Sequence, residues 1–335
     1  MNPFSFKKYF IAFILSSLSL QIPSILGSET DQFLALGKDI KDSKHIINKI
    51  LKLKLEKAVK KANSKKMSCY KLTEFFGKEV SFGKPILLDV PLRNNPGMDQ
   101  IPRYNSNREL FYEDSIFYGI RRFDFGNGDN RYLSPTFNVA GVRLGGDKIS
   151  HITYIGFTYY KAFHFFFERY KKDLPITAAR KKAIEKAINF GIFQEQTITG
   201  LNLSSAGTFS YADMEANYQG LRLFYGICEG KYPNLKKEEG KWVIKTYIDI
   251  SSFITPELDE SYNPNYFRPS FWKKIKPNMK KYCNSESLEK LNKIKKSYAK
   301  FKKKSFSYLY LAEKIRKKEL KDPKPFTLES ICQKK

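Results

Sequence analysis

The chain has 335 residues, of which 41% are hydrophobic and 15% aromatic, so it is long and apolar enough to fold around a core. A wholly disordered chain and a fibrous repeat are both excluded, because the 19 Gly and 15 Pro follow no period. With 60 Lys+Arg against 34 Asp+Glu, the formal net charge of +26 indicates polyanions as partners, such as nucleic acid, acidic lipid or acidic cell-wall polymer.

Residues 1–28 have the layout of a secretory signal peptide. Two lysines precede an apolar stretch from Tyr9 to about Leu20, and the small residues Gly27 and Ser28 follow. The apolar stretch is shorter than the roughly 20 residues needed to cross a bilayer, which favours a cleaved leader over an uncleaved anchor. We therefore expect an exported protein, located in the periplasm or outside the cell.

The next two segments differ in their periodicity. Residues 29–66 contain apolar positions at helical spacing over 37–63, which predicts an amphipathic helix that packs on a core rather than lying on a membrane surface. Residues 67–146 interleave Pro, Asn, Gly and aromatics with short apolar runs such as 85–90 and 116–120, which predicts short strands and long loops.

The centre of the chain, residues 147–228, is predicted to be helical. The pattern gives a buried helix from Lys148 to Tyr170, a second from near Thr177 to Gly191, and a third that begins with a capping box at Ser210. A hairpin or a single strand is expected around residues 242–250, followed by a loop that contains several prolines. The fold class is thus mainly α with a small β and loop-rich portion (α+β), and residues 67–272 are expected to form one globular core domain.

The C-terminal segment, residues 273–335, is strongly basic. It holds 21 Lys+Arg against 6 Asp+Glu, so it carries +15 of the total charge. Apolar residues keep a helical period within it. The sequence therefore predicts a basic helical tail.

Four cysteines lie beyond the leader, at Cys69, Cys228, Cys283 and Cys332. An even number in an oxidising compartment predicts disulfides, and three pairings are open. The favoured pairing joins Cys228 to Cys283 and Cys69 to Cys332. No Cys-x-x-Cys pair is present, so neither a zinc knuckle nor a redox pair is indicated, and no metal or other cofactor is expected.

Polar residues are dense in the predicted helical centre. His151, Glu195 and Asp213 are candidate catalytic residues, because a carboxylate beside an imidazole can act as a general base. Asp147, Tyr211, Asn217 and Tyr218 are candidate binding residues close to them in the sequence. The structural alternative is that Asp147 and Asp213 cap helices and His151 is a core histidine.

A further pair, His164 and Glu168, is spaced to share a helix face and could form a hydrogen-bonded pair or half of a metal site.

Two segments, residues 138–151 and 210–220, resemble a group of uncharacterised exported bacterial proteins. Those proteins carry a Gly-x-Asp-Lys-x-x-His-Phe motif followed by Ser-Tyr-Ala-Asp-x-x-Ala-Asn-Tyr-x-Gly, and here Ile152 takes the place of the Phe. The resemblance covers about residues 130–265. It implies export and a bacterial envelope setting, and it implies no activity.

Two functions follow as hypotheses. The first is a non-catalytic envelope component whose cationic tail contacts anionic polymer or a membrane surface, while the helical core contacts a protein partner. The alternative is a peptidoglycan or glycan hydrolase that uses the Glu, Asp and His cluster. Nucleic acid is not favoured as a partner, because no zinc-finger, helix-turn-helix or RNA-binding pattern is present.

Overall fold

A computed structural model describes residues 29–81, 92–103, 113–120, 133–199 and 207–333. The predicted leader over residues 1–28 and the apolar run at 85–90 lie outside these ranges. The described part is mainly α-helical with a few short strands, as the sequence predicts.

The helices are, in chain order, α1 (Lys44–Ser64), α2 (Cys69–Ser81), α3 (Gly146–Ser150), α4 (Gly156–Tyr170), α5 (Ile176–Gln194), α6 (Tyr211–Tyr225), α7 (Pro269–Met279), α8 (Ser285–Ser297), α9 (Phe306–Arg316) and α10 (Leu328–Cys332). One π-helical segment, His151–Ile155, joins α3 to α4, and a second, Glu195–Thr199, follows α5.

The strands are short and belong to four small sheets. They are β1 (Glu29–Thr30), β2 (Gln100–Ile101), β3 (Leu133–Ser134), β4 (Thr136–Val139), β5 (Val142–Gly145), β6 (Thr208–Phe209), β7 (Leu235–Glu238), β8 (Lys241–Ile244) and β9 (Tyr266–Phe267). β1 pairs with β3 in parallel, whereas β2-β4-β5, β6-β9 and the β7-β8 hairpin are antiparallel. The β4-β5 hairpin leads directly into α3 and so positions the start of that helix.

Helix α1 packs on the core, as its apolar stripe predicts. The residues that it buries in the main hydrophobic cluster recur every three or four positions; they are Ile47, Leu51, Leu55, Ala58 and Ala62. The helix begins at Lys44, seven residues after the predicted start.

Two predictions for residues 67–146 are wrong. Residues 69–81 form helix α2, which buries Leu72, Phe76 and Val80 at a spacing of four. Residues 116–119 form a turn rather than a strand, although Ile116 and Ile120 are buried.

Helix α5 continues beyond Gly191, where the sequence predicts its end. A Cβ atom at Gly191 would lie 1.4 Å from the hydroxyl of Tyr159 on α4. This glycine therefore provides space for a neighbouring side chain and does not cap the helix.

Two helices of the main core approach each other at glycines. A Cβ at Gly220 on α6 would lie 2.1 Å from the carbonyl oxygen of Ile152 and 2.6 Å from the Cα of Gly156. The first π segment and the start of α4 therefore lie directly against α6, which places the residues of the two motifs side by side.

The cysteines form two disulfides, but the favoured pairing is wrong. Cys69 is joined to Cys228 and Cys283 to Cys332. The first bond connects α2 to the chain just after α6, and the second connects the turn between α7 and α8 to α10.

The C-terminal segment is helical and packs against the rest of the molecule. Tyr298 and Leu311 belong to the main hydrophobic cluster. The hydroxyl of Tyr298 donates to Asp259 (2.8 Å), and that of Ser305 donates to Glu215 (2.6 Å). Among the described helices, none combines the length and the apolar character required to cross a membrane.

Candidate functional site

The two motifs of the sequence meet in one buried cluster of charged side chains. Asp147 and Lys148 come from α3, His151 begins the first π segment, and Asp213 and Asn217 come from α6. A π-helical turn is wider than an α-helical one and shifts the side chains that follow it, and such turns are frequent at functional sites. We call these five residues, with Glu29 and Glu260, the charge cluster.

Lys148 is the centre of the charge cluster. Its side chain is fully buried, and its ammonium nitrogen lies 2.5 Å from Asp147 Oδ2, 2.6 Å from Asp213 Oδ1 and 2.7 Å from Glu260 Oε1. Burial alone would lower the pKa of Lys148, but the three carboxylates outweigh it and raise the pKa well above its usual value. Lys148 is therefore a permanent cation inside the protein.

Two glutamates bring additional acid groups to the cluster. Burial raises the pKa of Glu260 to about 7, where the charges of Asp147 and Asp213 add to the effect and Lys148 opposes it. Burial and the nearby Glu260 and Asp213 raise the pKa of Glu29 well above its usual value. The cluster thus favours protonated forms of the two glutamates at acidic pH.

Asp213 behaves in the opposite way. Burial would raise its pKa, but His151 and Lys148 reverse this effect and lower the pKa below its usual value. A capping box consists of two hydrogen bonds, and one of them is present at Ser210: its hydroxyl accepts from the Asp213 N–H (3.1 Å). The Ser210 N–H donates to Glu195 (3.3 Å), and the Asp213 carboxylate faces the charge cluster.

His151 is held between two residues of α6. Its Nδ1 lies 3.0 Å from Asn217 Oδ1, and its Nε2 lies 3.4 Å from Asp213 Oδ2. The Asn217 amide nitrogen donates to the Tyr159 hydroxyl (3.5 Å). The histidine ring thus lies with Nδ1 at the amide oxygen of Asn217 and Nε2 at the carboxylate of Asp213.

A mixed set of donor atoms at this place has the spacing of a metal site. Donor atoms of Asp147, His151 and Asp213 lie within 4.8 Å of one another. No metal is expected from the sequence, and this set of one histidine and two aspartates was not predicted as a metal site. The ammonium group of Lys148 contacts both aspartates and already supplies one positive charge between them.

Glu195, the third candidate catalytic residue, lies beside the cluster. It begins the second π segment, is 6% exposed, and accepts from the backbone at the start of α6. The hydroxyl of Ser210 donates to Glu260 (3.1 Å), so one short segment connects Glu195 with the charge cluster.

Two predicted binding residues contact other parts of the molecule. The hydroxyl of Tyr211 donates to the backbone carbonyl of Lys321 in the C-terminal segment. The ring of Tyr218 lies tilted by 38° against that of Phe306, with 6.3 Å between the ring centroids, and Tyr218 lines a cavity of about 640 Å³. That cavity is not lined by His151, Glu195 or Asp213.

The predicted relation between His164 and Glu168 is not present. His164 packs on the ring of Tyr70, with 4.3 Å between centroids, and Glu168 pairs with Lys171 (2.6 Å).

Lys148, Glu29 and Glu260 were not predicted as site residues. Lys148 stands between two residues that were singled out, and the acidic pair Asp259 and Glu260 was noted only as part of a resemblance. A lysine in a helix that is apolar almost all round is the signal that could have identified the first of them.

Comparison of the chain with protein-family models, with curated proteins and with solved structures finds no match.

Proposed function

We propose that this chain is an exported cell-envelope protein that binds an anionic envelope polymer or lipid surface without catalysing a reaction. Its predicted leader and its resemblance to exported bacterial proteins support the location. The described disulfides, which include all four cysteines, are compatible with an oxidising compartment.

The observation that carries the proposal is an asymmetry in burial. Nine Asp and Glu side chains are buried in the described part of the chain, whereas Lys148 is the single buried base there. With these ten residues set aside, the remainder of the chain carries a formal charge of +34, which exceeds the overall +26. The fold thus buries acidic side chains and leaves nearly all basic side chains at the surface, which favours binding to polyanions.

The C-terminal segment offers the free cations for this contact. Several of its lysines are exposed and form no ion pair within the described residues; they include Lys273, Lys274, Lys296, Lys302 and Lys303. Near an anionic surface, each such lysine contributes up to about 1 kcal/mol of binding free energy. Because this segment packs on the core, deleting it would unfold the protein, so substitution is the appropriate test.

The test measures retention on vesicles containing anionic lipid and on purified anionic wall polymer as salt is increased. Replacing these five lysines by Gln should shift release to lower salt. The matched control replaces five exposed lysines elsewhere, namely Lys38, Lys49, Lys60, Lys65 and Lys181. An equal shift in both variants would contradict the role of the C-terminal segment, and no retention of the wild type at low salt would contradict the binding function.

One observation favours the hydrolase alternative: His151 and Asp213 are in contact, and Glu195 lies beside them. Burial opposes it, because the side chain of Asp213 is 9% exposed and cannot reach a polymer without movement of its surroundings. The informative variant is Glu195→Gln, which keeps an oxygen to accept from Ser210. Under the hydrolase alternative it abolishes clearing of purified cell wall at an unchanged melting temperature, whereas unchanged clearing would exclude Glu195 as the acid.

A further inference from the structure

A groove on the surface of α5 and α6 has the composition of a ligand site. Its volume is about 640 Å³, within the usual range for small-molecule sites. Arg180 from α5 and Arg222 from α6 line it together with four tyrosines; these are Tyr218, Tyr225, Tyr232 and Tyr247. None of these six residues belongs to the charge cluster.

Both arginines retain N–H groups that can donate to a ligand. Neither forms an ion pair with a carboxylate of the described residues. The Nε of Arg180 is buried without a hydrogen-bond partner, and the guanidinium lies 5.7 Å from the centroid of Tyr225. Arg222 donates from Nη1 to Gln219 (2.5 Å) and to the backbone carbonyl of Ser252 (3.4 Å), and its guanidinium lies 5.7 Å from the ring of Phe253.

The choice of arginine is informative in this chain. Only 12 of its 60 basic residues are Arg, so lysine is the usual source of positive charge on its surface. A guanidinium differs from an ammonium in presenting a planar fork that binds carboxylate or phosphate through two parallel hydrogen bonds. Two arginines that line one groove and form no ion pair with a described carboxylate therefore indicate an anionic ligand.

The tyrosines indicate what carries the anionic group. Tyr232 is 82% exposed and Tyr247 is 46% exposed, although large aromatic side chains normally bury more of their surface. Tyrosine combines an apolar face with a polar edge, which matches the C–H face and the hydroxyl groups of a sugar ring. Glu229 and Asp249 also line the groove. Glu229 accepts from the Tyr160 hydroxyl (2.9 Å) and Asp249 from the Asn48 amide (2.9 Å), and the second oxygen of each carboxylate can accept from such hydroxyls.

We propose that this groove binds a sugar unit that bears a carboxylate or phosphate, with Arg180 and Arg222 on the anionic group and Tyr232 and Tyr247 on the ring. The inference deepens the proposed function, on which it rests, by giving the envelope polymer a defined recognition site. The exposed lysines of the C-terminal segment supply general attraction, and the groove selects the repeating unit.

The test is isothermal titration calorimetry of the full-length protein with three probes. These are a glucuronate-containing tetrasaccharide, a phosphorylated disaccharide and a neutral cellotetraose. We expect at least one anionic probe to bind about tenfold or more tightly than the neutral one, and the comparison of the two anionic probes tells carboxylate from phosphate.

The variants separate the groove from overall charge. Arg180→Gln with Arg222→Gln should weaken binding of the anionic probe by about tenfold or more. Arg169→Gln with Arg316→Gln removes the same charge at two exposed positions outside the groove and should leave binding within about twofold. Tyr232→Ala should weaken binding of every sugar probe, because it removes a ring that is largely exposed and contributes little to folding.

Equal binding by the groove variant and the wild type would overturn the inference. So would a wild type that is retained on anionic polymer but binds no short sugar, and in that case the proposed function stands without a groove. A third outcome is that the short anionic sugar binds and this binding depends on the two arginines, but the protein is not retained on polymer or vesicles. This result would support the groove and contradict the proposed envelope function.

Discussion

Lys148 neutralises a group of carboxylates that could not otherwise remain ionised in the interior. Its ammonium contacts Asp147, Asp213 and Glu260 and has no exposure to solvent. Removing one partner of a buried ion pair leaves an uncompensated charge, which typically costs about 3–5 kcal/mol. We expect Lys148→Met to lower the free energy of unfolding by about this amount in urea denaturation.

The matched control is Lys181→Met, since Lys181 is exposed and forms no ion pair with a described residue. Its effect should lie within about 0.5 kcal/mol. A loss of less than about 1 kcal/mol for Lys148→Met would mean that the carboxylates are neutralised by protonation or by another cation.

Glu260 makes stability depend on pH in an unusual direction. Burial raises its folded-state pKa to about 7 from an ordinary value of 4.5, so the folded state holds a proton that the unfolded state has lost between these values. Its contribution is therefore complete below pH 4.5 and is lost as the pH rises through 7, by an amount on the order of 3 kcal/mol. Asp213 has the opposite effect. Its folded-state pKa is lowered from the ordinary value of 3.8, so the stability that it contributes is lost as the pH falls below that value.

We therefore expect the free energy of unfolding, measured in urea at a series of pH values, to be greatest at mildly acidic pH and to fall between pH 4.5 and about 7, the window set by Glu260. Glu260→Gln mimics the protonated side chain and should flatten the decline. A decline of unchanged steepness in this variant would assign the effect to another group.

At the residue scale, the proximity of some residues of the charge cluster could be predicted from the sequence. His151, Asp213 and Asn217 were expected together because their motifs are dense in polar residues, and they are in contact. Glu260 contacts Lys148 across 112 positions, and Glu29 enters from the first described strand. No local period encodes such contacts, so they could not be inferred without the fold.

The packing of α6 against the first π segment and α4 depends on a glycine pair at the element scale. A Cβ at Gly220 would overlap the backbone at Ile152 and Gly156, and backbone cannot rotate out of the way as a side chain can. Gly220→Ala should therefore destabilise the protein by about 2 kcal/mol or more, as measured by its thermal or urea unfolding. It should also move His151 relative to Asn217, which NMR of the imidazole nitrogens would detect.

Gly226→Ala is the control, because it also changes a glycine next to α6. The nearest atom to a Cβ there is the carbonyl oxygen of Arg222 at 3.2 Å, which requires only a small adjustment. Equal destabilisation by both variants would contradict the close crossing at Gly220.

Helices with a strong local signal, such as an apolar period or a capping residue, could be predicted from the sequence. Helices whose extent depends on contacts with other parts of the fold could not. The start of α6 was predicted because Ser210 is a local signal, and its side chain accepts the expected backbone N–H. Helix α2 was missed because it lies in the stretch where Pro, Asn, Gly and aromatics interleave. Its Gly77 faces Phe157, whose ring would lie 2.5 Å from an added Cβ. The end of α5 was wrongly predicted at Gly191, because this glycine provides space for Tyr159 and does not end the helix.

On the scale of the whole molecule, the basic C-terminal segment is fixed to the core. Buried Tyr298 donates to Asp259, and its own hydroxyl accepts from the backbone N–H of Arg143 (3.0 Å) in the hairpin that precedes the charge cluster. The composition change at residue 273 marks a change in surface charge and not a change in packing. The charged residues of this segment indicate which side chains contact solvent, whereas the apolar residues between them indicate which side chains pack in the core.

The two disulfides restrict the unfolded chain to different extents. Cys69 and Cys228 are 159 residues apart, whereas Cys283 and Cys332 are 49 apart. On chain entropy alone, the longer loop contributes about 5 kcal/mol and the shorter about 4 kcal/mol, as upper values. Replacing each pair by Ser should therefore lower the urea midpoint in both variants, with the larger decrease for Cys69→Ser with Cys228→Ser. Non-reducing peptide mapping of the wild type checks the connectivity, and recovery of a Cys228–Cys283 peptide would contradict it.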